Sequence, residues 1–235
     1  MEPYAHLLEK TSYQQPHLLI TQGDFITRKS VSSKAYADGQ FKPFFGDTTV
    51  FDVDDDTKAK VATIQDTLYE EVPECFCCRL APHTTHMTLH DLDASERMEE
   101  VAPATFNNEV GLLRLIKEQP ISPQTIHMKT HFVVDSVATS LVLALHPLNE
   151  EEWNKLQVLY DAIDSIRPLN RDLYPHITLA YYHPNGFPKV TADRLREVVF
   201  ELNKTAFSVI LDTRKLFYQK FTDMNSYYSV FPLSV

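Results

Sequence analysis

Two four-residue echoes hold the residues best suited to chemistry: His86-Met87-Thr88-Leu89 and His176-Ile177-Thr178-Leu179. In an extended strand, side chains two apart share a face. His86 and Thr88 therefore look one way while Met87 and Leu89 look into a core, and the second echo repeats the arrangement. Two imidazoles around one cleft suit phosphodiester hydrolysis without a metal. A neutral histidine takes a proton from the attacking water, and a protonated one gives a proton to the leaving alkoxide. The threonine hydroxyls donate to the non-bridging phosphoryl oxygens, where negative charge develops. Taken singly, a strand histidine bonded to backbone and a threonine favoured by strand geometry would explain each residue. Their recurrence at matching points of a repeat is what points to a site.

That repeat supplies the elements that position them. From Thr48 the chain reads TTVFDV, a β-branched strand pattern, followed by Val61, Ile64, Leu68 and Val72 at helical spacing. Pro73 ends the helix, a Cys-rich strand is expected next, and HTTHMTLHDL follows. From Thr139 the order recurs. TSLVLALHP is a strand, Glu150 to Ile166 a helix with Trp153, Leu156, Tyr160 and Ile163 on one face, and YPHITLAYY the motif strand. Each half adds a helix, near Asn108 to Lys117 and near Ala192 to Asn203. Thr125 to Asp135, Ala206 to Leu211, LFYQKF and SYYSVF read as further strands. The expectation is an α+β fold: duplicated, bilobal, antiparallel sheets backed by helices around a central groove. Residues 1–38 form an extension packed on the core. Residues 39–235 form one domain with halves at about 48–120 and 121–235.

Neighbours of the motifs extend the candidate site. His90 keeps the parity of His86 and Thr88, so substrate contact is expected there. Tyr182 keeps the parity of His176 and would stack on a base, whereas Tyr181 falls to the core. Tyr36, Lys34 and Lys42, in the long loop Arg28–Asp47, are placed to close over a nucleotide. Arg79 or Arg171 would supply a cation near the groove, and His83 belongs to a loop. The acidic run Asp52–Asp56 reads as a cap favouring the positive end of the next helix.

Composition narrows the function classes. Among 235 residues, 32 Asp and Glu outnumber 22 Lys and Arg, for a formal net charge of −10. This disfavours a long nucleic-acid track, since each phosphate contact needs a cation. A small anionic ligand held by a few local donors remains compatible. The longest aliphatic run, Leu141 to Leu145, is too short for a bilayer. The opening MEPYAHLLEK lacks a basic segment followed by an apolar one, so no secretion and no membrane partner are expected. Cys75, Cys77 and Cys78 have spacing unlike a zinc knuckle and read as free thiols in a reducing cytoplasm.

Paired His-x-Thr motifs in the two halves of a duplicated αβ unit resemble the 2H phosphoesterase superfamily, which includes cyclic nucleotide phosphodiesterases and RNA 2′,5′ ligase-like proteins. GQFKPFFGDTTVF with HMTLHD is similar to a branch found in bacteria and fungi. The resemblance spans roughly Gly39 to the C-terminus. It implies two lobes with the site in the groove between them, and hydrolysis of 2′,3′-cyclic phosphates or 2′–5′ linkages. His86 and His176 would be the acid/base pair, and Thr88 and Thr178 would bind phosphate. No metal and no cofactor are expected. The partners expected are a small nucleotide or an RNA end, acted on by a cytoplasmic monomer. Two other readings compete: a non-catalytic nucleotide-binding module, and a metal-dependent hydrolase in which His86 and His90, with His83 or His176, hold a divalent ion.

Overall fold

The computed structural model describes residues 3–12 and 22–234. Residues 1–2 and 13–21 of the N-terminal extension lie outside the described residues. Along the chain run α1 (Tyr4–Ser12), β1 (Phe45–Asp52), α2 (Asp55–Glu71), β2 (His86–Ser95), α3 (Met98–Glu118), β3 (Thr125–Ser136) and β4 (Ser140–Pro147). Then come α4 (Glu150–Asp164), β5 (His176–Tyr181), α5 (Lys189–Leu202), β6 (Ser208–Asp212), β7 (Leu216–Asp223) and β8 (Ser226–Pro232). The helix boundaries follow local chemistry. The Asp54 carboxylate accepts from the Thr57 N–H at 2.7 Å, with Asp55 and Asp56 in the first turn of α2. Asn149 caps α4 in the same way, accepting from Glu152 N–H at 3.0 Å. These bonds satisfy N–H groups that have no partner within the helix.

Among the described residues, eight strands join one antiparallel sheet in the order β6-β3-β4-β5-β2-β1-β7-β8. The order is symmetric about its middle. β2 and β5 meet there through a single residue pair, Met87 opposite Ile177, and β1 and β4 flank them. Helices cover the face on which Met87, Leu89, Ile177 and Leu179 join Leu68, Leu112, Trp153 and Leu156 in the main core. The α+β, antiparallel, bilobal architecture is thus present, built as two four-stranded halves of one sheet.

Three details depart from the sequence reading. The boundary at 120/121 does not follow the lobes: β7 pairs with β1, so the C-terminal hairpin β7–β8 completes the first lobe. The Cys-rich stretch is not a strand. Pro73 to Cys75 form a 3-10 turn, and only Phe76 bridges to Tyr182, because the chain touches the end of β5 and leaves. Helix α3 starts well before Asn108, and Pro103 lies inside it.

The described part of the extension is packed down. Tyr4 Oη donates to Pro147 O at 3.2 Å, and the Phe25 ring stacks on Phe187 at 4.5 Å. Val31 and Ala35 close over Cys77.

Candidate active site

The Met87–Ile177 pairing sets the geometry of the site. Because β2 and β5 run antiparallel through that pair, His86 lies across from Thr178, and Thr88 across from His176. The four side chains line one groove of about 560 Å³. Each ring is fixed in the same way. His86 Nδ1 donates to Thr84 O at 2.6 Å, and His176 Nδ1 donates to Tyr174 O at 2.7 Å. In each case the carbonyl is two residues upstream, which sets the neutral tautomer and leaves Nε2 as the basic nitrogen. An aromatic ring braces each imidazole: Tyr227 lies 5.1 Å from His86, and Tyr174 lies 5.7 Å from His176.

Burial holds both histidines below the ordinary imidazole range, outweighing the carbonyl bond that favours the charged form. His176 further disfavours charge on His86, Arg171 does the same to His176, and the Asp91 carboxylate pulls both upward.

Immediately after each motif the strand bulges. Thr49 pairs with His90 but Val50 with Thr88, so Leu89 is skipped. Leu141 pairs with Ala180 but Val142 with Thr178, so Leu179 is skipped. An extra residue in a strand reverses the inward and outward alternation beyond it. Side chains bond to carbonyls beside the bulges: Leu179 O accepts from Gln65 Nε2 at 2.9 Å, and His90 O accepts from the Thr48 hydroxyl at 3.1 Å.

The paired bulges account for the burial of His90 and Tyr182. His90 is only 1% exposed. It is among the residues that line the groove, but its ring is turned inward, where Nε2 meets Asp164 Oδ1 at 3.0 Å and Tyr160 lies 5.0 Å away. Tyr182 is fully buried in an aromatic cluster with Phe25, Phe76 and Phe187, and it is Tyr181 that lines the groove. Tyr36 also departs from expectation: it is 52% exposed and stands outside the groove, its N–H bonded to Gln40 O in a tight turn. Lys42 pairs with Glu96 at 2.7 Å, and Arg79 is taken by Asp66 and Ala62 O on α2. His83 sits exposed in a 3-10 turn.

The structure brings His86, His176, Thr88 and Thr178 together, places the candidates Lys34 and Arg171 along the same groove, and adds Asp91, Phe44, Tyr181 and Tyr227, which the sequence reading did not place there. Beyond Thr88 and His176, Arg171 pairs with Asp91 across the two lobes. Beyond His86 and Thr178, the Lys34 ammonium lies 4.8 Å above the Tyr181 ring and 5.4 Å from the Phe44 ring. Tyr227 arrives on β8. The alternation in SYYSVF carried a signal for its face, but not for its lobe. Among the described residues, no three His, Cys, Asp or Glu side chains are grouped as a metal ion would need.

This arrangement of elements is shared with known structures. A conserved protein of unknown function from Agrobacterium tumefaciens str. C58, ATU0111, has a TM-score of 0.69 at 15% identity, covering 88% of this chain and 94% of that one. TT0787 of Thermus thermophilus has a TM-score of 0.48 at 15% identity, covering 81% and 96%. E. coli LigT complexed with 3′-AMP has 0.45 at 14%, covering 81% and 97%. The latter two likenesses are too loose to carry an argument. The first shows a common fold over nearly the whole chain. No family profile and no curated protein matches the sequence. The chain thus has an α+β fold shared with ATU0111, with the groove between its lobes.

Proposed function

We propose that this protein is a phosphodiesterase of the 2H phosphoesterase superfamily, hydrolysing 2′,3′-cyclic phosphates or 2′–5′-linked small nucleotides by paired-histidine acid/base catalysis without a metal. The observation that carries the reading is the equivalence of His86 and His176: the same groove, the same bond from Nδ1 to the carbonyl two residues back, the same free Nε2. One neutral Nε2 takes a proton from water as its oxygen attacks phosphorus. The other, protonated, gives its proton to the departing ribose oxygen as the P–O bond breaks. Water and cyclic diester thus become a phosphate monoester, and the second imidazole regains its proton from the first through solvent. Thr88 and Thr178 donate to the phosphoryl oxygens.

Burial keeps both rings neutral near pH 7 in the free protein, so an anionic substrate is needed to charge one of them. The net charge of −10 favours a small nucleotide over long RNA.

Turnover of the four nucleoside 2′,3′-cyclic monophosphates, a 3′,5′-cyclic control, a 2′–5′ dinucleotide and ADP-ribose 1″,2″-cyclic phosphate, all in EDTA, tests the reading. His86→Ala and His176→Ala proteins run in parallel. Hydrolysis lost in both variants supports it. Turnover only on adding a divalent ion overturns the metal-free mechanism, and ligand binding with no turnover of any substrate leaves a binding module.

A further inference from the structure

The two ends of the groove differ in one respect that the hydrolytic step does not use. At the His176 end the cation is neutralised, since Arg171 pairs with Asp91. At the His86 end, Lys34 lines the groove, and among the described residues no carboxylate pairs with it. Its neighbours are π faces and a phenol: Tyr181 below, Phe44 beside it, and the Tyr181 hydroxyl 3.4 Å from Nζ. Aromatic faces hold an ammonium without satisfying its donors as an oxyanion would.

Lys34 is also firmly placed. Its N–H donates to Val31 O at 2.8 Å, its carbonyl accepts from Lys42 N–H at 3.0 Å, and Ala35 packs beneath it on Cys77. The extension therefore contributes a half-buried, fixed cation to the wall of the groove. Strand rise places Tyr181 about 10 Å along β5 from Thr178. That is the reach of a nucleoside rather than of the scissile phosphate itself.

We infer that Lys34, with Tyr181 and Phe44, forms a second anion subsite, taking a phosphate one nucleoside removed from the scissile group. The inference rests on the nucleotide reading above and adds the substrate class: nucleotides carrying a further phosphate. That phosphate is either a 5′-terminal monoester or the next backbone diester of an RNA end. The ammonium donates to its oxygens as a point charge.

The test compares adenosine 2′,3′-cyclic phosphate with its 5′-phosphorylated form and with a 5′-hydroxyl dinucleotide ending in a 2′,3′-cyclic phosphate. Proteins are wild type, Lys34→Met, Lys34→Arg and, as a charge control, Lys42→Met. The wild-type kcat/KM ratio in favour of the extra phosphate is expected on the order of tenfold or more, the size of one charge-assisted hydrogen bond. Lys34→Met should bring that ratio close to one, while Lys34→Arg keeps most of it and Lys42→Met all of it. A gain with the 5′-phosphate assigns the subsite to a terminal monoester, and a gain with the dinucleotide alone assigns it to an RNA end. No gain with either overturns the inference. Dissociation constants of adenosine 3′,5′-bisphosphate and 3′-AMP, for wild type and Lys34→Met, separate this from the hydrolytic reading. A Lys34-dependent preference for the bisphosphate without turnover supports the subsite and defeats the hydrolase. Turnover with no preference for the extra phosphate does the reverse.

Discussion

The two lobes carry the same device in unlike settings. Each has a His-x-Thr-Leu strand, a ring held by the carbonyl two residues back, a bulge after the motif and an aromatic brace. After the bulge, the equivalent positions diverge: Asp91 in the first lobe, Tyr181 in the second. Asp91 engages Arg171 from the other lobe, whereas Tyr181 engages Lys34 from the extension. The repeated part is what acid/base chemistry requires, and the unlike part is what gives the groove a direction. Duplication supplies a symmetric reaction centre, and the loops then break the symmetry.

If the lobes are equal partners, His86→Ala and His176→Ala should each lower kcat by about 10²–10⁴-fold, and the double variant should add little. A variant retaining near wild-type kcat would break the equivalence outright. The joint between the lobes should be equally sensitive from both sides. Ile177→Ala and Met87→Ala each remove a fully buried side chain from the Met87–Ile177 pair, and each should cost about 2–5 kcal/mol in urea unfolding. Thr88→Val and Thr178→Val each delete one hydroxyl donor to a charged group, for roughly tenfold or more in kcat/KM. Unequal losses would show which lobe bears the developing charge.

The pH dependence sharpens the contrast further. Asp91 raises the pKa of both histidines, so Asp91→Asn should move the acid limb of kcat/KM to lower pH. Stability should respond as well. His86 and His176 lie below their unfolded value, and burial lowers His146 on β4 to about 4, with His131 and Lys129 adding repulsion. As pH falls from about 6.5, the unfolded chain takes up protons that the native state refuses, so the ligand-free protein should lose stability between about pH 6.5 and 4. His146→Gln should flatten that slope when melting is followed across the range.

Much of this was legible because period and repeat are local properties. The apolar spacing in α2 and α4, the acidic cap run Asp52–Asp56 and the alternation within each motif all lie in adjacent residues. Parity failed where the bulges intervene. Counting by twos from His86 and His176 put His90 and Tyr182 on the open face, and one extra residue in each strand turned the His90 ring inward at the groove wall, buried Tyr182 and brought Tyr181 out. No residue type announces those bulges, since the skipped positions are ordinary leucines, and the bonds nearby come from Gln65 to Leu179 O and from Thr48 to His90 O, from elsewhere in the chain. The lobe boundary failed for a related reason: strand partnership between β1 and β7 is a long-range choice that sequence order does not encode.

That partnership has a consequence for how the molecule comes into being. Phe51 of β1 finds its neighbour Leu216 only after the whole second lobe has been made. During synthesis from the N-terminus, β3 to β6 have all their partners before the first lobe has its own, so the second half is positioned to order first. The first lobe must hold an unpaired strand edge until the last hairpin emerges, with the loop-closure cost and slow folding that distant pairing brings. That hairpin also delivers Tyr227 to His86. A nascent chain stalled short of it would own both histidines and still lack a finished groove.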